Sequence, residues 1–169
     1  MNVKTITAIA SLVIPMTSWS ADTADSKFYT TAAQGGMAEV ELGNLAQQKS
    51  SNASVKEFGA MMASDHGMAN EKLKSMADSK SVSLPSTIGV KQMAVKAKLQ
   101  MLSGDAFDKA YVKDMIKDHQ EDIAMFEKEA SQGLDADAKA FASATLPTLR
   151  THLKKIQAIA DNNGVTAAN

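Results

Sequence analysis

The histidines of this 169-residue chain stand where a helix is expected to place apolar side chains. His66, His119 and His152 fall on three separate segments whose apolar residues recur about every 3.6 positions, inside the apolar face of each. A fourth such segment carries Glu39 inside its face. Neutral imidazoles and a carboxylate suit Zn, Fe, Mn or Cu as ligands. The pattern therefore predicts one divalent transition-metal ion in the core, held by one ligand from each of four helices.

Two aspartates lie next to this ligand set. Asp122 follows His119 by about one helical turn, at the flank of the same stripe, and we expect it to be a fifth ligand or to support one. The alternative is a simple i, i+3 pair with His119 on the helix surface. Asp65 lies at the edge of the stripe that carries His66, and we expect it to face solvent or to support a ligand rather than bind the ion.

The four inward side chains lie at similar heights along their helices. Glu39 and His66 are 12 and 15 residues from Ser51, in the turn between the first two long helices. His119 and His152 are 15 and 18 residues from the turn between the last two. At a rise of about 1.5 Å per residue, the mismatch within each pair is only about 4.5 Å. Long side chains can converge from such positions.

A structural polar layer without metal is the competing interpretation. Buried ionisable groups without partners cost several kcal/mol each, and either a metal ion or a closed hydrogen-bond network would remove that cost. In the second case, imidazoles paired with Glu39 and Asp122 would fix the register of the helices. The protein would then be a non-enzymatic envelope module for stress adaptation or for binding an envelope protein, and the lysine-rich helix near residues 88–102 would offer the partner surface.

Several other functions are disfavoured by composition and motifs. Lys and Arg number 18 against 19 Asp and Glu, so no basic field indicates nucleic acid. No glycine-rich phosphate-binding loop occurs, and the contiguous Ser64, Asp65 and His66 cannot form a catalytic triad on one helix. We therefore predict no catalytic residues and favour a non-enzymatic protein over an enzyme.

The elements that must position the ligands are all helical. Four long helices are predicted at about residues 26–49, 52–78, 105–132 and 135–161, and a shorter one at about 88–102. Short turns make the first two and the last two helices antiparallel pairs. The connection of roughly 25 residues between the pairs is long enough to cross the bundle, as in ferritin-like folds. We expect an all-α, ferritin-like four-helix bundle with this crossover; an up-down bundle with a fifth packing helix is the alternative.

Residues 1–20 have the pattern of a cleavable signal peptide. A lysine near the start precedes an apolar stretch, and small residues Ser18 and Ser20 precede Ala21. The chain has no cysteine, so neither a lipoprotein anchor nor a disulfide is available. We expect a periplasmic or secreted domain spanning residues 21–169, with no transmembrane segment after cleavage.

Three stretches of the chain together resemble a known family. MMASDHGMANEKLKSMA, FDKAYVKDMIKDHQEDIAMFEKEA and LPTLRTHLKKI are similar to the domain of unknown function 4142 family, across nearly the whole mature chain. Its members are exported bacterial proteins, often labelled as outer membrane proteins. The resemblance implies a ferritin-like bundle and no established activity.

The ligand pattern departs from that of di-iron ferritin-like bundles. Those proteins place Glu-x-x-His on two helices and a further Glu on each of the other two. Here Ala63 and Leu149 stand three residues before His66 and His152, so the carboxylates are too few for such a centre. The sequence therefore predicts one metal ion or none, and it does not favour ferroxidase, oxygenase or iron-storage chemistry.

Overall fold

A computed structural model describes residues 24–162, and within this range the chain is helical with no strand. The helices are α1 (Ala24–Lys49), α2 (Ala53–Ser79), α3 (Val90–Gln100), α4 (Gly104–Gln132) and α5 (Ala136–Asn162). The predicted all-α class is confirmed. The predicted signal peptide, residues 1–20, lies outside the described residues. No helix within 24–162 is long and apolar enough to cross a membrane.

Polar caps define where two of the long helices begin. The side chain of Asn52 accepts hydrogen bonds from the backbone N–H groups of Ser54 at 2.9 Å and Val55 at 3.3 Å. Asp135 caps α5 in the same way, accepting from two backbone N–H groups of its first turn at 2.9 Å each. Such caps satisfy amide groups that have no partner within the helix, and they stabilise the helix by about 1 kcal/mol. These caps fix the two turns from which the heights of the four inward side chains along their helices were counted.

The long connection crosses the bundle, as one of the two predicted topologies required. Ser51 donates a hydrogen bond of 3.3 Å to Asp108, which joins the start of α2 to the first turns of α4. At the opposite end, Lys80 pairs with Asp135 and Asp137 at 2.8 Å each, which joins the end of α2 to the start of α5. Helices α2 and α4 are therefore parallel. Residues 80–103 span the length of the bundle, and the up-down alternative is wrong.

Close packing within the first helix pair depends on two facing glycines. A Cβ atom added at Gly43 would lie 2.4 Å from the carbonyl oxygen of Gly59, and one added at Gly59 would lie 2.6 Å from the carbonyl oxygen of Gly43. Any larger residue would push the backbones apart.

The four long helices pack as two antiparallel pairs, α1 with α2 and α4 with α5. Contacts of α1 with α4 and of α2 with α5 join the two pairs into a bundle. The bundle thus has an α1–α4 groove and an α2–α5 groove.

Helix α3 lies over the α1–α4 groove. Its lysines pair with carboxylates of the two helices beneath it: Lys91 with Glu121, Lys96 with Glu41 at 2.8 Å, and Lys98 with Asp114 at 2.9 Å. Each such partly exposed pair contributes less than about 1 kcal/mol. These lysines therefore hold the crossover on the bundle, which differs from the free basic face that the sequence suggested.

Two apolar clusters fill the bundle, with a polar layer between them. The cluster nearer the α1–α2 turn includes Leu42, Phe58, Met62, Tyr111, Met115 and Ile156. The cluster nearer the α4–α5 turn includes Phe28, Leu73, Phe126, Phe141 and Leu149. Between them, each long helix contributes one buried polar residue: Glu39, His66, His119 and His152.

Candidate metal centre

Three helices bring the histidines together at mid-height in the bundle. His66 of α2, His119 of α4 and His152 of α5 are 7%, 0% and 1% exposed. One ligand nitrogen from each lies within 4.8 Å of the other two. The ring centres are 5.5–5.8 Å apart. We call these three residues the histidine cluster.

Hydrogen bonds orient two of the three rings. Nδ1 of His119 donates to the carbonyl oxygen of Met115 at 2.9 Å, because a carbonyl can only accept. Nε2 of His152 bonds Oδ2 of Asp65 at 2.8 Å. The buried nitrogens without a hydrogen-bond partner are Nε2 of His66, Nε2 of His119 and Nδ1 of His152. Fixing one ring nitrogen in this way leaves the other as a lone-pair donor, which is the usual arrangement at metal-binding histidines.

Burial keeps the histidine cluster uncharged. Burial, with a smaller contribution from neighbouring imidazoles, lowers the pKa of His66 to about 3 and that of His119 to about 4. Burial also lowers the pKa of His152, although its bond to Asp65 opposes the change. All three rings are therefore neutral at pH 7. Metal binding requires neutral imidazoles, so no proton has to be displaced from these ligands.

The geometry and donor type fit a borderline transition metal. Corners of an equilateral triangle with 4.8 Å sides lie about 2.8 Å from its centre, against about 2.0–2.1 Å for a Zn–N bond. For an ion at that centre, each nitrogen would need to move inward by at most about 0.8 Å, which small ring rotations supply. Three nitrogen donors suit Zn or Cu better than Mg, Ca or Mn, which prefer oxygen. Three protein ligands also leave a coordination position for an external ligand.

Glu39 adjoins the cluster from the α1 side. It is fully buried, and its Oε1 lies 3.8 Å from Nδ1 of His119, the nitrogen that bonds Met115. Both carboxyl oxygens lack a hydrogen-bond partner. Burial, and after it Asp118 and Asp122, raises the pKa of Glu39 well above its usual value. The carboxyl therefore lies beside the back of one ring and outside the nitrogen triangle, and its role as a ligand stays a prediction.

Asp122 also lies toward α1 rather than toward the histidine cluster. A Cβ atom at Gly35 would be 3.8 Å from its Oδ1. Burial raises the pKa of Asp122 to about 8, with Asp118 and Glu121 adding to the rise and Lys91 opposing it. Glu39, Asp118 and Asp122 form what we call the acid cluster, next to the α1–α4 groove. Metal binding by Asp122 likewise stays a prediction.

Sequence reasoning expected Asp65 to face solvent or to support a ligand, and it gave Asp118 no role at the site. Asp65 turns out to bond His152 across the α2–α5 groove. Its position next to His66 was the available signal. Asp118 precedes His119 and is half-buried. No sequence signal distinguishes it from a solvent-facing acid, because its burial depends on the path of the crossover.

A cleft between α2 and α5 leads to the histidine cluster. It has a volume of about 130 Å³, and the buried residues that line it are His66, Leu149 and His152. Exposed residues Lys72 and Thr148 stand at its mouth. The histidine cluster is therefore accessible from this side of the bundle.

Comparison with known proteins gives a family match and several structural neighbours. The family model described as domain of unknown function (DUF4142) matches residues 15–159. None of the curated proteins matches the chain.

The structural neighbours share the fold at low sequence identity. A DUF305 protein from Streptomyces coelicolor has a TM-score of 0.75 at 15% identity, covering 89% of this chain and 99% of the other. CopM in its Cu(I)-bound form has a TM-score of 0.69 at 14% identity, covering 83% and 98%. A conserved hypothetical protein from Mycobacterium tuberculosis has a TM-score of 0.66 at 17% identity, covering 86% and 96%. At these identities the likeness establishes the helical fold alone.

Proposed function

We propose that this chain, which belongs to the family described as domain of unknown function (DUF4142), binds one transition-metal ion through His66, His119 and His152. The observation that carries the proposal is that one ring nitrogen from each of these buried histidines lies within 4.8 Å of the other two. Each ring also has one buried nitrogen without a hydrogen-bond partner. Leaving three such atoms unpaired costs roughly 1–3 kcal/mol each. An ion at their centre would remove that cost and would explain why they converge.

Copper and zinc are the metals that the site suits best. Its donors are three neutral nitrogens, and divalent copper and zinc bind nitrogen sites more tightly than iron or manganese. CopM, a neighbour in fold, has been solved in Cu(I)-, Cu(II)- and Ag-bound forms, which supports testing copper first. The N-terminal sequence pattern supports the further proposal that the protein is exported, so it would bind its metal in the periplasm or outside the cell.

Asp65 and the carbonyl oxygen of Met115 would act as positioning groups. Each holds the ring nitrogen that does not face the ion, at 2.8 Å for His152 and 2.9 Å for His119. An ionised carboxylate behind an imidazole also makes its free nitrogen a stronger donor. The ion would contribute its charge and its vacant coordination position, and the protein would supply a fixed, uncharged set of ligands.

Metal titration of protein prepared without a histidine tag tests this function. We expect one Cu or Zn ion per chain by elemental analysis, and a rise in melting temperature on metal addition. A variant with all three histidines changed to glutamine should bind no metal, whereas Asp78→Asn, at a surface carboxylate that pairs with Lys74, serves as a control. Absence of metal and of any thermal shift in the wild type would overturn the proposal and would favour the structural polar layer.

A further inference from the structure

We infer that the remaining coordination position of the ion faces the α2–α5 cleft and takes a small anion from solvent. The inference rests on the proposed metal site and adds to it a second ligand of stated chemistry. The cleft, the closed opposite side of the bundle and the charges around the site carry the argument.

The α1–α4 side of the site is closed. Glu39 fills the space behind His119 and is fully buried, and helix α3 covers the groove above it. The ion pairs of Lys91 and Lys98 with α4 hold α3 in place. An external ligand therefore has no route to the ion from this side.

The α2–α5 side is open and of limited size. His66 and His152 lie at the bottom of the cleft, and its rim includes the exposed residues Ala144 and Thr148. A volume of about 130 Å³ corresponds to roughly four water molecules at ~30 Å³ each. A ligand of about three to five heavy atoms fits this space.

The charges favour an anion over a neutral or cationic ligand. Three neutral imidazoles leave the charge of the ion uncompensated. The single carboxylate of the cleft, Asp65, is already bonded to His152. Lys72 adds a positive charge at the rim, where its ammonium group lies 5.9 Å from the centre of the Phe141 ring. The Thr148 hydroxyl can donate a hydrogen bond to an anion that enters.

Azide titration of the Cu(II)-loaded full chain tests the inference. We expect a saturable azide-to-copper charge-transfer absorption, and competition by chloride or formate. Lys72→Ala should weaken azide binding about threefold, because it removes one nearby charge. The matched control is Lys74→Ala, which removes an exposed lysine of the same helix that pairs with Asp78 away from the cleft.

Filling the cleft mouth separates access from metal binding. Thr148→Phe should abolish the azide response while one copper per chain is retained, and Ala144→Leu provides a second, smaller obstruction if the first variant folds poorly. Failure of the wild type to load copper overturns this inference, and failure to load either copper or zinc overturns the proposed function as well. Copper loading without an azide response overturns the inference alone, as does an azide response that both filling variants leave unchanged.

Discussion

The two grooves of the bundle bury different polar groups, and they differ in how far those groups are accessible from the surface. In the α2–α5 groove, two imidazoles lie at the bottom of a cleft that reaches the surface. In the α1–α4 groove, the acid cluster lies under α3, and the lysines of α3 pair with other carboxylates at the edges. One side is thus an accessible nitrogen site, and the other is a covered carboxyl site.

Burial neutralises both sides by opposite proton movements. It lowers the pKa of imidazoles, so His66 and His119 are neutral at pH 7. It raises the pKa of the Glu39 carboxyl well above its usual value, which favours the protonated form. A neutral imidazole keeps a free lone pair and can bind a metal at once. A protonated carboxyl must first release its proton. The difference explains why the histidine side is prepared for a cation and the acid side is not.

His119 is the residue at which the two sides meet. Its Nε2 belongs to the histidine cluster, while its Nδ1 bonds Met115 and faces Glu39. Changes on the two sides of this ring should therefore have effects of different kind and size.

Replacing the shared ring should have the largest effect. His119→Leu removes one of three ligands, and we expect metal affinity to fall at least about a thousandfold, on the order of 4 kcal/mol. The melting temperature of the metal-free protein should not fall, because an unpaired buried nitrogen is replaced by an apolar group of similar size. Calorimetric metal titration and thermal melts measure both quantities.

Met115→Leu is the matched control for this change, since it keeps the carbonyl oxygen that accepts from His119 and should keep metal binding. A metal-free His119→Leu protein destabilised by several kcal/mol would contradict the comparison, because the ring would then stabilise the fold without an ion.

Titration of Asp122 in the acid cluster should make the metal-free protein less stable as pH rises. Burial raises the pKa of Asp122 from 3.8 to about 8. Between these values the folded state binds more protons than the unfolded state, so the free energy of unfolding falls with increasing pH until about pH 8. One proton is worth about 1.4 kcal/mol per pH unit, which gives a loss on the order of 2–3 kcal/mol between pH 6 and 8.

Urea unfolding of chelator-treated protein at several pH values checks this dependence, and Asp122→Asn should flatten it. Glu129→Gln is the reference variant, because the pKa of Glu129, raised to about 7 chiefly by burial, makes a separate contribution near the α4–α5 turn. An Asp122→Asn profile as steep as that of the wild type would show that the acid cluster is not the source.

Helical periodicity in the sequence predicts the long helices and the inward direction of the histidines, because burial of an apolar stripe fixes which way each helix faces. Similar heights are enough to predict that His66 and His119 approach each other. The topology was open from sequence, since a connection of this length can return or cross. Contacts of Lys80 and Ser51 at opposite ends of the bundle decide it.

Sequence spacing could not predict which atoms face the site. It places Glu39 on the apolar face but does not reveal that its carboxyl lies behind the His119 ring, because that depends on side-chain rotamers. It also cannot distinguish Asp118 from any solvent-facing acid. Partial burial of Asp118 follows from the position of α3, which short-range periodicity does not specify.

Metal binding by the histidine cluster should depend on the Asp65 carboxylate, which bonds the His152 ring. Asp65→Ala removes the partner of His152 Nε2 and frees the ring to rotate, so we expect metal affinity to fall about 10–100-fold. Asp78→Ala is the control on the same helix, since Asp78 pairs with Lys74 at the surface and should leave affinity unchanged. Competition against a chromophoric chelator measures both variants. Equal affinities for the two would mean that Asp65 does not position the ring.

The smallest effect is expected where the fully buried carboxyl is replaced. Glu39→Gln keeps the size of the side chain, and it mimics the protonated form that the raised pKa of Glu39 favours. If Glu39 lies outside the coordination sphere, metal affinity should change by less than about threefold, or under ~0.7 kcal/mol. If it is a ligand, as the sequence predicts, binding requires its deprotonation and the amide should cost at least as much as Asp65→Ala. The same chelator competition at pH 7 and pH 8 distinguishes these outcomes, because a carboxylate ligand would make wild-type binding tighten with pH while the glutamine variant would not.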